Sequence, residues 1–193
     1  MPHVTFIGND EQRLVERLQQ GDKTAAREFY SLYADSLAGI CMRYIADEEN
    51  LKDVLQNAFA HIFSHIAEFE YRRAGSLLAW AKRVVVNESL KFLRSREHFE
   101  ELREDYDVVD ESEYDLLSIS DIPPDVIQQI LGRLPVGYRM VLNLYILEGK
   151  SHQEIARLLG IGKDTSASQL HKAKRMLAKM IRKFNEDNTY DNG

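Results

Sequence analysis

The run Ser151-His152-Gln153-Glu154 marks a helix start with little ambiguity. It has the S-x-x-E form in which a hydroxyl and a carboxylate each satisfy a backbone amide left without a partner in the first turn. Ile155, Leu158 and Leu159 then recur at i, i+3 and i+4, which makes one face apolar. Gly160 ends that helix, because positive φ costs least where there is no Cβ. Ile161 is expected to tuck under the turn, and a second helix to begin near Asp164 and Thr165. Leu170, Ala173 and Leu177 form its buried stripe, and Thr165, Ser168, Lys172 and Arg175 the opposite one, flanked by Ala167, Gln169 and His171. Across residues 134–177 this describes a helix-turn-helix with a basic second helix. Hydroxyls, amides and cations on that exposed face are the groups that reach base edges and phosphates. The competing reading is a solvated amphipathic helix in an ordinary bundle. It explains the periodicity but not the conjunction of capping box, glycine turn and cations.

A net charge of −6 sits oddly with DNA until it is divided along the chain. Residues 1–99 hold 13 basic and 14 acidic side chains, residues 100–124 hold 1 and 10, and residues 125–184 hold 11 and 4. The acidity is therefore concentrated in a middle segment, while the helix-turn-helix segment is strongly positive. Such segregation predicts a basic domain for a polyanion and an acidic connector. A single cysteine, Cys41, permits no internal disulfide and suits a reducing compartment. The opening MPHVTFIGND lacks the basic and apolar regions of a secretory signal, so a cytoplasmic location is expected.

Helical periodicity dominates the remainder, with no convincing strand alternation. Helices are expected over 10–20, 24–44, 48–66 and 76–96, with a loop at 67–75. The second should bury Phe29, Tyr30, Tyr33, Leu37 and Ile40 or Cys41. The third should bury Leu51, Val54, Leu55, Ala58, Phe59, Ile62 and Phe63, and the fourth Trp80, Val84 and Leu90. Pro123-Pro124 marks a boundary ahead of helices at 125–133 and 136–147, since proline suits a helix start and not its interior. The expected class is all-α: two small helical domains, 1–97 and 123–184, joined by an acidic flexible linker at 98–122 and followed by a disordered tail at 185–193.

Two separate segments resemble one family. LPVGYRMVLNLYILEGKSHQEIARLLGIGKDTSASQLHKAK closely resembles region 4 of the extracytoplasmic-function group of bacterial sigma factors. DEENLKDVLQNAFAHIFSHIAEFE, followed by SLLAWAKRVVVNESLKFLRSR, resembles their region 2. The resemblance implies a subunit that binds core RNA polymerase, through the β′ clamp helices and the β flap, and directs it to promoter DNA. In region 2 it implies polymerase contacts at Asp53, Gln56 and Asn57. It places the −10 reader at loop 69–76 and the helix after it. Tyr71, Arg72 and Arg73 there supply an aromatic and two cations for extruded bases and backbone. Asn87 matches the family's base-pocket asparagine, while Lys82, Arg83, Lys91, Arg94 and Arg96 are placed to track phosphates. Trp80 is read as core rather than as a stacking platform.

In region 4 the resemblance carries −35 contacts to Thr165, Ala167, Ser168, Gln169, His171 and Lys172, with Arg175 beside them on the basic face. The family often has glycine before the threonine and a basic residue two places after it. Here those positions hold Asp164, read as an N-cap, and Ala167. An anti-sigma factor, often membrane-bound in the family, is an implied partner. No cofactor, metal, catalytic residue or small-molecule substrate is expected. One alternative is a helix-turn-helix regulator that binds duplex DNA without joining a polymerase. Another is an enzyme, to which His61 and His65 at i and i+4 would be the only pointer; no H-E-x-x-H accompanies them. Cys41, on an apolar helix, reads as core rather than as a nucleophile.

Overall fold

The computed structural model describes residues 8–96 and 123–189, so the expected linker at 98–122 lies outside the described residues. Among the described residues the chain is all-α, with eight α-helices, one 3-10 turn and no strand. None of these helices is long and apolar enough to cross a membrane. The chain divides into two compact units between Phe92 and Leu93, upstream of the expected limit at 97.

The first unit is built from α1 (Gly8–Gln19), α2 (Lys23–Cys41), α3 (Glu48–His65), a 3-10 turn (Ile66–Glu68) and all but the last four residues of α4 (Ser76–Arg96). Aspartates start two of these helices. Asp22 accepts from the Thr24 amide at 2.8 Å and Asp47 from the Asn50 amide at 2.9 Å, each satisfying a donor that the first turn leaves over. Phe29 is wholly buried at the centre, with ring centroids 5.0 Å from Tyr33, 5.7 Å from Phe63 and 6.4 Å from Phe59. Tyr30, expected in this core, is 55% exposed. One residue further round α2 than Phe29, it points off the buried face and rests on Phe59 at 4.9 Å. Leu51, Leu55, Phe59 and Phe63 are only half-buried, which leaves Val54, Ala58 and Ile62 as the fully covered stripe of α3. Cys41 is buried against Ser89, and burial pushes its thiol up. It is a core residue.

The second unit holds α5 (Pro124–Gly132), α6 (Val136–Ile146), α7 (His152–Leu159) and α8 (Lys163–Thr189). Proline opens α5, where its missing N–H costs nothing. Every residue from Tyr138 to Leu144 on α6 is buried, so α6 is the central helix. The run includes Arg139, whose guanidinium donates to the Gly132 carbonyl at 2.9 Å and so stabilises the C-terminal end of α5. Ile130 of α5 packs with Ile181 of α8, flanked by Leu177, Met180 and Phe184. Burying each isoleucine contributes about 1.5–3 kcal/mol. This second contact explains the length of α8: its first half serves the helix-turn-helix and its second half covers α5. Residues 185–189, expected in a disordered tail, are helical as the end of α8.

Candidate nucleic-acid interface

The helix-turn-helix forms through local bonds. The Ser151 hydroxyl accepts from the Glu154 amide at 3.3 Å, and the Ser151 amide donates to the Glu154 carboxylate at 2.9 Å, so both halves of the capping box are present. The Ser151 amide first, and then the Ser151 hydroxyl, which also donates to the carboxylate at 2.8 Å, hold the Glu154 carboxyl below its usual range. Gly160 takes φ 70° and ψ 29°, and its amide bonds the Ala156 carbonyl at 2.9 Å. α8 starts at Lys163, so Asp164 lies in the first turn and is not the N-cap. Its charge still meets the positive end of the helix.

Side-chain placement on α8 follows its periodicity, with one correction. Ala167 and Arg175 are exposed, and Thr165, Ser168, His171 and Lys172 are half-buried at the surface. Gln169, expected to face DNA, is buried, with its amide group packed beside Gly137 of α6. The reason is geometric. Ser166, Gln169, Leu170 and Ala173 stand at i, i+3, i+4 and i+7 and form the inward arc, two of them polar. Ser166 was missed for the same reason. It is fully buried and pairs with His152 Nδ1 at 3.0 Å, while the His152 ring stacks on Tyr145 at 4.8 Å. That chain ties α6, α7 and α8 together and fixes the angle at which α8 is offered.

In the first unit, residues 69–75 form the loop between the 3-10 turn and α4. Gly75 adopts φ +84°, the left-handed region that lets the chain turn into α4. Arg72 and Arg73 are exposed and Tyr71 half-buried; its phenol is pushed up by burial and then by the Glu11 charge. Trp80 is not core. It is half-buried, pairing with Phe69 at 5.1 Å under the base of the loop. Counting along α4, Trp80 shares a face with Arg83, Asn87, Lys91 and Arg94, the last four all exposed. Lys82 is half-buried and stands off that stripe. Two residues of α1 reach this segment, and the sequence reading singled out neither: Gln19 bonds the Ile66 and Phe69 carbonyls, and Glu11 the Gly75 and Leu77 amides.

Asp53, Gln56 and Asn57 are all exposed on one side of α3. His61 and His65 follow on the same helix with ring centroids 4.2 Å apart, and His61 Nδ1 lies 3.1 Å from Glu88. Among the described residues no group of three or more His, Cys, Asp or Glu side chains is placed to hold a metal ion.

Comparison with known proteins agrees with this geometry. The family model for sigma-70 region 2 matches residues 29–99 and that for sigma-70 region 4 matches residues 125–177. Over 184 residues the chain is 30% identical to the ECF RNA polymerase sigma-E factor of Haemophilus influenzae, covering 89% of this chain and 95% of that protein. This chain belongs to the extracytoplasmic-function sigma factors. The RNA polymerase sigma-H factor of Pseudomonas aeruginosa is 25% identical, with 89% of this chain and 93% of that protein covered. For SigW of Bacillus subtilis the identity is 24%, with coverage of 89% and 96%. Among solved structures, CnrH in complex with the cytosolic domain of CnrY aligns over 88% of this chain and 95% of that one, at 20% identity and a TM-score of 0.47. As a sigma factor the chain directs promoter-specific transcription, in a family of non-catalytic initiation factors. A duplex-binding regulator would carry the region 4 match alone, and the region 2 match sets that alternative aside.

Proposed function

We propose that this sigma factor works in the cytoplasm, bound to core RNA polymerase, and grips a promoter with two differently built surfaces. The outward face of α8 meets the −35 duplex through Thr165, Ala167, Ser168, His171, Lys172 and Arg175, with Ala167 limited to apolar contact such as a thymine methyl. The loop carrying Tyr71, Arg72 and Arg73 takes the melted −10 bases, and the Arg83–Asn87–Lys91–Arg94 stripe follows the backbone. Asp53, Gln56 and Asn57 meet the β′ clamp helices and the second unit meets the β flap. An anti-sigma factor holds the protein inactive. The observation that carries this reading is the exposed stripe on α4, which begins beside a loop that presents an aromatic and two cations.

Run-off transcription with purified core polymerase and a promoter library tests it. The expected result is a set of used promoters sharing two elements; no promoter used above background with a verified active core overturns it. On a recovered promoter, Lys172→Ala and Arg175→Ala should each lower the salt slope of binding by about one. An unchanged slope removes that residue from the phosphate contacts.

A further inference from the structure

We infer that α1 is a splint for the −10-reading segment, with Glu11 as its positioning residue: one buried carboxylate from α1 holds the end of loop 69–75 and the first turn of α4 together, and Gln19 holds the loop's beginning. This inference rests on the reading of that loop as the −10 contact.

Glu11 is 1% exposed, a position at which an unsatisfied carboxylate would be strongly unfavourable. It is stable there because it accepts from two backbone amides, that of Gly75 and that of Leu77, the latter at 2.8 Å. Both donors belong to the start of α4, where no intrahelical acceptor exists for them. The usual solution is a side chain next to the helix; here a residue more than sixty positions upstream supplies the acceptor, and its negative charge lies at the positive end of α4. At the other end of the segment, Gln19 Nε2 donates to the Ile66 carbonyl at 3.2 Å and to the Phe69 carbonyl at 2.8 Å. Glu11, Val15 and Gln19 are spaced by four, so both grips lie along one side of α1, with the buried Val15 between them.

Between the two grips the loop also carries a bond of its own turn, from the Ser76 amide to the Arg73 carbonyl at 3.0 Å. Its ion pair, Arg72 to Glu70 at 3.7 Å, joins side chains 81% and 83% exposed and is worth little. The two ends of the segment that presents Tyr71, Arg72 and Arg73 are therefore both tied to α1. A loop ordered in advance does not lose that freedom when it captures single-stranded bases, so the splint acts on recognition as well as on stability.

The test uses the full chain with core polymerase and forked templates made from a promoter recovered from the library, with the −10 segment intact or scrambled. Glu11→Gln keeps the shape, but one of its two terminal atoms becomes a donor and cannot accept. The preference for the intact template should fall about tenfold, as for loss of one well-formed buried hydrogen bond, while protection of the −35 duplex stays unchanged. Hydrogen exchange at the Gly75 and Leu77 amides should accelerate. Gln19→Ala frees only the loop's beginning and should produce a smaller fall in the same preference. If Glu11→Gln does not fold, Gln19→Ala decides. Released amides, or a folded Gln19→Ala, with a preference within about twofold of the natural protein overturn the splint. A natural protein that cannot tell the two templates apart overturns the reading of the loop itself, and the splint with it.

Discussion

The two units are secured over very different distances in the chain. In the second, the bonds that shape the reader are local: Ser151 to Glu154 across three positions, and His152 to Ser166 across fourteen. In the first, the reading loop is held by Gln19 across 47 and 50 positions and by Glu11 across 64 and 66. The difference matches the two forms of DNA proposed for the two units. A major groove accepts a rigid helix whose own capping sets its direction. Extruded bases need an irregular surface with pockets, and an irregular surface has no ladder of its own to keep it in place.

The strongest way to break this comparison is to loosen one unit and watch the other. Phe29→Ala empties the centre of the aromatic cluster in the first unit, and a buried Phe→Ala change costs about 3–5 kcal/mol. Hydrogen exchange should accelerate across α1 to α4 while the α6 and α8 amides keep their protection. Equal loss of protection in both units would show that they are not separately held.

Next in size are the two turn glycines, Gly75 at φ +84° and Gly160 at φ +70°. A Cβ at either position meets no atom within 4 Å, so strain alone is at issue, about 1–2 kcal/mol for alanine in the left-handed region. Gly75→Ala should weaken discrimination of the −10 segment and spare the −35 duplex; Gly160→Ala should do the reverse. Denaturant midpoints supply the stability change, and forked and duplex templates the two recognition effects. Should both variants impair the same element, the division of labour fails.

How much was legible follows the same divide. The capping box, Gly160 and the basic helix were readable because each is written in neighbouring residues, where periodicity and capping rules apply. Glu11 and Gln19 were invisible, since nothing in an amphipathic α1 says which distant amides its polar positions will meet. Gln169 and Ser166 misled by type: a polar residue on the inward arc reads as outward until the packing is known. Tyr30 and Trp80 misled in the other direction, as aromatics at the rim of a core and beneath a loop. Gln169→Ala gives this a test. With Gln169 inside, the change removes buried stem packing, should lower stability by about 1 kcal/mol, and should leave the salt slope of promoter binding untouched, unlike Lys172→Ala. A slope reduced by about one would return Gln169 to the DNA face.

The smallest effect concerns the joint from which α1 reaches the loop. Asp22, between α1 and α2, has its carboxyl lowered from 3.8 to about 2, first by the Thr24 hydroxyl, then by the Thr24 amide and by the Arg17 guanidinium 2.9 Å away. Arg17 also pairs with Glu28 at 2.7 Å, and the two partners raise its own value. Because the folded form holds the proton less tightly than the unfolded chain, the Asp22 contribution is complete above about pH 4 and is lost as pH falls toward about 2. Asp22→Asn should therefore flatten the acid limb of the first unit's stability curve, read as urea midpoints across that window. The groups involved are well over a quarter open to solvent, with Asp22 33% and Arg17 40% exposed, so the change at neutral pH should be slight. The capping box offers the internal comparison: Glu154 is also held below its usual range, so the second unit should weaken with acid in the same direction. Glu154→Gln should flatten that limb and not the first. Were Asp22→Asn to flatten both, the two units would share one unfolding transition, and the separation between a locally held reader and a remotely held one would not extend to stability.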